Sequence, residues 1–207
     1  RSTDMTNNIS KFVSAGIDLH AAVDQMMGIG NAAALAGSGV QNASHAMSGF
    51  SKAMAAGYMS TINWSWIQTA KLDSLAFKQS LIDAAVEVGT LRKVGDAYYT
   101  VAKGTQVSAE NMREGLSEKW LNTAAMEKAL SVYGKFSTAL NEFYVAAGNG
   151  STYTTSELLG FIDSFKAGAL AVEDFNDILN ETGLTSEELT KYLSDLGSET
   201  YAIGRKA

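Results

Sequence analysis

None of the chain's 207 residues is proline, where average usage of roughly 5% would supply about ten. Every backbone N–H therefore stays available as a donor, and no residue forces the i→i−4 ladder of a helix to stop. Punctuation falls instead to the 19 glycines, which recur along the whole sequence. A chain of this kind is expected to fold mainly as α-helices separated by Gly stops, and the side-chain pattern must say which helices are buried.

The best-punctuated stretch is residues 60–89, which holds two of the three tryptophans, Trp64 and Trp66. Ser60 or Thr61 opens it. Further on, Leu72-Asp73 reads as a second helix start, with Asp73 as N-cap and Leu72 placed to pack on Phe77 as a hydrophobic staple. Leu75, Leu81, Ile82, Ala85 and Val86 then keep an apolar face at helical spacing, and Gly89 is a C-terminal stop. Trp64, Trp66 and Phe77 are the expected core of this region.

Upstream, Ile9, Phe12, Val13, Ile17, Leu19, Val23 and Met27 predict one helical repeat over residues 4–27. Residues 26–39 read as a break or a weakly specified helix, because Gly28, Gly30, Gly37 and Gly39 each cost about 1 kcal/mol inside a helix. Ser38 is a cap for a helix carrying Val40, Met47, Phe50 and Met54, ending near Gly57. Downstream, residues 91–101 alternate around Gly95-Asp96 with Val94, Tyr98, Tyr99 and Val101, the pattern of a β-hairpin. Ser108 is read as the cap of a short helix through Met112 to Leu116. Asn122 or Thr123 caps a long helix with Met126, Leu130, Tyr133, Phe136, Leu140 and Phe143 on one face.

Residues 147–151 form an Ala-Gly-Asn-Gly-Ser linker signal. Beyond it the chain is acidic. Thr154 with Glu157 and Thr185 with Glu188 make two capping boxes, and with Glu173 and Gly183 they delimit three short amphipathic helices. Such a unit of about 50 residues is marginal alone.

Composition removes several functional classes. The net charge of −6 comes with no run of Lys or Arg, so specific nucleic-acid binding is not expected. There is no Cys, hence no disulfide framework, thiolate metal site or cysteine nucleophile. Only 18% of residues are charged, against about 25% in typical domains, and Ala, Gly, Ser and Thr fill the difference. The sequence starts at Arg1 rather than Met, its first ten residues are polar with no apolar h-region, and it reads as a piece excised from something longer.

Motifs with chemistry are weak. Gly28-Ile29-Gly30 imitates a dinucleotide turn but lacks the preceding strand and the acidic residue about 20 positions on. Asp174, Asn176, Asp177, Asn180 and Glu181 imitate a calcium loop, yet the sixth and twelfth positions are Leu179 and Thr185, where Gly and Glu belong. His20 and Asp24 are helical neighbours and His45 stands apart, which falls short of a zinc set. No nucleophile elbow is present. No catalytic, cofactor-binding or metal-ligating residue is assigned, and no enzyme activity is expected. The early methionines Met26, Met27, Met47 and Met54 read as helix core. The Ala/Gly/Met-rich part from Ala21 to Gly57 also motivates an alternative, a membrane-active helical segment.

The central sequence resembles the tail tape measure proteins of long-tailed bacteriophages and prophages. The resemblance is carried by residues 45–54 (HAMSGFSKAM), 66–73 (WIQTAKLD), 77–82 (FKQSLI), 118–123 (EKWLNT) and 129–136 (ALSVYGKF), and continues over 189–207. It implies a structural chain that scaffolds tail tube assembly, sets tail length and is ejected during DNA delivery. The implied partners are the tail tube protein, tail assembly chaperones and distal tail or baseplate proteins, with homo-oligomers in the tail lumen and contact with the host membrane at infection. It also implies synthesis in the host cytoplasm and residence in the virion tail lumen. Because the sequence lacks a sustained heptad run, it reads as a folded segment rather than an extended coiled coil. The expected fold is mainly α, a compact multi-helix domain with one small β-hairpin near 91–101. Its expected parts are a helical tape-measure domain over 1–150 and an acidic three-helix segment over 151–207.

Overall fold

The computed structural model describes residues 2–35, 37–147 and 153–201. The protein is mainly α, with one small antiparallel sheet. Its helices are α1 (Ser2–Ser14), α2 (Leu19–Leu35), α3 (Val40–Ala56), α4 (Thr61–Thr69), α5 (Leu75–Val88), α6 (Thr123–Ala146), α7 (Thr155–Lys166), α8 (Val172–Thr182) and α9 (Ser186–Leu196). Between α5 and α6 lie the strands β1 (Leu91–Val94), β2 (Ala97–Thr100) and β3 (Gln106–Val107), then a single 3₁₀ turn at Leu116–Glu118. A second 3₁₀ turn, Glu199–Tyr201, packs on α6.

Several caps stand where the side chains put them. Ser60 accepts from the Asn63 N–H, Asn122 from the Ala125 N–H, and both Thr capping boxes close reciprocally with Glu157 and Glu188. Gly57, Gly89 and Gly183 end their helices at positive φ, which glycine adopts without Cβ strain. Other boundaries differ. The cap of α5 is Ser74, whose side chain accepts from Phe77 N–H, so Asp73 precedes the cap and the staple register shifts by one residue. Leu75 then faces solvent at 56% exposure, while Leu72 and Phe77 are both buried. Gly39, with no side-chain bond, caps α3, and Ser38 instead donates to the Ala70 carbonyl at the end of α4.

The repeat over residues 4–27 is two helices, divided at Gly16 with φ +93°. Conversely, α2 runs unbroken through Gly28 and Gly30, where a break or weak helix was expected. Tertiary packing overrides propensity there, because α2 is the principal neighbour of α6 and buries Ala22, Met26, Ile29, Ala32 and Ala33. Residues 108–116 form turns and a Ser108–Asn111 bridge in place of the expected helix. The hairpin pairs Leu91 with Thr100 and Val94 with Ala97 around Gly95 at φ +61°, and β3 adds a third strand unforeseen in the sequence.

Two buried clusters meet in α6. Its first half, with Met126, Leu130 and Tyr133, joins a core containing Phe12, Phe50, Trp64, Phe77, Leu81 and Trp120. Its second half, with Phe136, Leu140 and Phe143, joins Leu158, Ile162, Ile178, Leu189, Leu193 and Leu196 of α7–α9. Each fully buried Leu, Ile or Phe contributes about 1.5–3 kcal/mol, so the α7–α9 unit gains a core by borrowing a face of α6. Of the 147–151 linker signal, Ala147 caps α6 and the rest lies outside the described residues.

Candidate functional site

The residues that imitated binding motifs are dispersed by the fold. Gly28 and Gly30 lie within α2, and Gly28 faces a helix backbone: a Cβ there would stand 2.2 Å from the Leu130 carbonyl oxygen. His20 is exposed at the start of α2, and His45 lies on α3 with its ring centroid 5.8 Å from that of Trp66. Asp174, Asp177 and Glu181 sit along the exposed side of α8, a helix rather than a calcium loop. Among the described residues no three His, Cys, Asp or Glu side chains converge as a metal site needs.

What the fold assembles is a set of four aromatic–cation contacts and a carboxylate clasp. Lys52 Nζ lies 4.0 Å above the Trp66 ring, and Lys119 Nζ lies 5.2 Å from the Tyr58 centroid. On the sheet, Arg92 stacks over Tyr99 and Lys93 over Tyr98, each at 5.7 Å. Such contacts are worth about 0.5–1 kcal/mol at exposed sites and hold cations on an apolar platform. Trp66, expected in the core, is half-buried because it lies over α3 at Gly49, where a Cβ would meet Trp66 Cβ at 3.1 Å.

The clasp centres on Glu118. Its Oε1 accepts from the Thr100 hydroxyl at 2.6 Å, and Oε2 accepts from the Thr105 hydroxyl. The Thr105 N–H donates to Thr100 Oγ1 at 2.9 Å, closing the β2–β3 connection onto the 3₁₀ turn. Those two hydroxyls, aided by Lys103, hold the Glu118 carboxyl below its ordinary value. A carboxylate with its oxygens so engaged is a poor general base, so the clasp reads as structural. The sign follows: a depressed folded pKa stabilises above the unfolded value near 4.3 and is lost as pH falls through the folded one. Urea midpoints measured from about pH 5 to pH 3 should fall on acidification, and less steeply in Glu118→Gln than in the parent.

Tyr133 is also structural. Burial pushes its phenol above the ordinary value, opposed by a hydrogen bond with Ser80, and its ring packs at 5.4 Å from Phe77. Among the described residues, three surface depressions are open to solvent. The one against the sheet, about 550 Å³, is lined by Gln79, Asp96, Tyr98, Gln106 and Glu110, with Gln79 Nε2 donating to the Tyr98 hydroxyl at 3.0 Å.

No family model, curated protein or solved structure matches the chain.

Sequence reasoning passed over the clasp and Gly134. The clasp carries no short motif, since its three residues come from two separated turns. Gly134 did carry a signal: a glycine inside a strongly apolar helix costs about 1 kcal/mol and usually has a packing reason.

Proposed function

We propose that this chain is a structural segment of a phage tail tape measure protein, scaffolding tail tube assembly and setting tail length. Its partners in this reading are the tail tube protein, the tail assembly chaperones and the distal tail or baseplate proteins. The chain would be made in the host cytoplasm and lie in the tail lumen until DNA delivery. The observation that carries the reading is the ordered set of sequence blocks, supported by where those blocks fall. Residues 45–54 are within α3, 66–82 run from α4 into α5, and 118–136 run into α6. They supply Met47, Phe50, Ile67, Phe77, Leu81, Trp120, Leu130 and Tyr133 to one core. What resembles the family therefore lies largely in packed helices.

The alternative of a membrane-active segment involves α2 and α3, whose Met26, Ile29, Met47 and Phe50 are buried. Among the described residues no helix is long and apolar enough to cross a membrane. Insertion would first require both helices to leave the core.

In-frame deletion of residues 1–207 from the parent phage gene tests the ruler directly. Tails measured by electron microscopy should shorten, by at most about 310 Å at the helical rise of 1.5 Å per residue. Tails of unchanged length would overturn the reading.

A further inference from the structure

The two buried clusters that meet in α6 differ in charge as well as in size. Residues 1–147 carry twelve acidic and twelve basic side chains, a net charge of zero. Residues 153–201 carry ten acidic side chains against two basic ones, Lys166 and Lys191, a net charge of −8. The division of charge thus falls where the division of cores falls. Among the described residues, the second cluster takes Leu158, Ile162, Ile178, Leu189, Leu193 and Leu196 from α7–α9, and Phe136, Leu140 and Phe143 are lent by α6. A core of that size holds about 50 residues only weakly.

Electrostatics work against the same unit. Lys166 pairs with Glu199 at 2.6 Å and Lys191 with Asp195 at 3.3 Å, so both cations are engaged within it. Tyr153 feels the surplus: burial, then the charges of Glu181, Asp177, Glu157 and Asp174, push its phenol upward. The second half of α6 supplies Lys135 and Glu142, which cancel. Repulsion among like charges opposes a compact state, and salt screens it.

The seam with α6 is made of rings. Phe136 lies 5.9 Å from Tyr201 and Phe143 lies 5.0 Å from Tyr192, centroid to centroid. α9 and the Glu199–Tyr201 turn make the principal contacts with α6, while α7 packs on α9 and Lys166 ties the turn to α7. The three helices are therefore joined to one another and would leave α6 together. α6 keeps its place without them: Leu130 and Tyr133 belong to the first core. The Thr138 hydroxyl, which donates to the Gly134 carbonyl at 3.1 Å, lies 4.0 Å from Met27 Sδ on α2.

We infer that α7–α9 is a lid on α6, which lifts as one unit at low ionic strength while the first core stays folded. Lifting uncovers Phe136, Leu140 and Phe143, which share one face of α6 at i, i+4 and i+7. Local opening of this kind follows the distribution of buried apolar contacts, and here the contacts on the lid side are few.

Hydrogen exchange of the whole chain, resolved helix by helix by mass spectrometry, tests this. In 0.01 M salt, where the Debye length is about 30 Å, α7, α8 and α9 should share one protection factor, at least about tenfold below those of α2, α3 and α5. In 1 M salt, where that length is about 3 Å, protection of α7–α9 should rise at least about threefold, and that of α2, α3 and α5 by less than about twofold. Asp177→Asn/Glu181→Gln, two exposed changes, should raise the protection of α7–α9 in 0.01 M salt and shrink the response to 1 M salt. Phe143→Ala should lower the protection of α7–α9 and leave α2, α3 and α5 as in the parent. One protection factor common to both cores, a salt response shared equally by both, or a Phe143→Ala effect that reaches α2, α3 and α5 overturns the inference.

Discussion

Gly134→Ala should lose at least about 3 kcal/mol of stability, lowering the thermal midpoint by about 10 °C. Inside a helix the same change would ordinarily stabilise by about 1 kcal/mol, so even its sign is diagnostic. The reason lies in the crossing of α2 and α6. A Cβ on Gly134 would stand 1.8 Å from the Asp24 carbonyl oxygen and 3.1 Å from Asp24 Cα. Gly28 answers from the other helix, its Cβ position 3.0 Å from the Gly134 nitrogen. Two helix backbones touch there, and no side-chain rotamer can relieve the overlap, so α2 must move away from the core it caps. Gly30, two residues along in α2, has nothing within 4 Å of a Cβ position. Gly30→Ala should therefore stabilise by about 0.5–1 kcal/mol. Thermal unfolding of the two variants side by side separates the contact from propensity, and two shifts of the same sign would refute the crossing.

Trp120→Ala should cost about 3–5 kcal/mol, the range for emptying a buried aromatic site. Trp120 is 1% exposed and its indole N–H donates to the Glu114 carbonyl at 3.2 Å. Its own carbonyl accepts from the Thr90 hydroxyl at the start of the hairpin. The next residue, Leu121, accepts from the Met59 N–H at 2.8 Å, tying the α3–α4 connection to the entry of α6. The buried indole thus fixes the loop after the sheet, and with it the backbone carbonyls of Trp120 and Leu121 that hold the hairpin and the α3–α4 connection. Urea unfolding should show a lower midpoint with an unchanged m-value, since the native fold is weakened rather than replaced. A loss under 1 kcal/mol would mean the site collapses around the missing ring.

Local signals were legible where they act within a few residues. Ser60, Asn122, Thr154 and Thr185 cap their helices because a side-chain oxygen reaches the N–H three residues on, whatever the rest of the chain does. Asp73 misled because Ser74, one position later, offers the same chemistry and wins. Trp66 misled because bulk was read as burial, whereas the ring lies over α3 with Lys52 on its face. The clasp of Thr100, Thr105 and Glu118 was invisible, since nothing in the sequence brings an oxygen from residue 118 to the sheet.

The sequence by itself determined that the chain is helical, where most helices stop, that α6 has an apolar face needing cover, and that the charge gathers at the acidic end. Proline's absence, glycine's backbone freedom and side-chain caps are local causes, and they act before any long-range contact forms. Only the tertiary structure decided that α2 survives its glycines and that α6 serves two cores at once. The reason is that a helix of weak propensity exists only against its neighbour: Gly28 and Gly134, more than a hundred residues apart, are each unfavourable alone and together let two backbones meet.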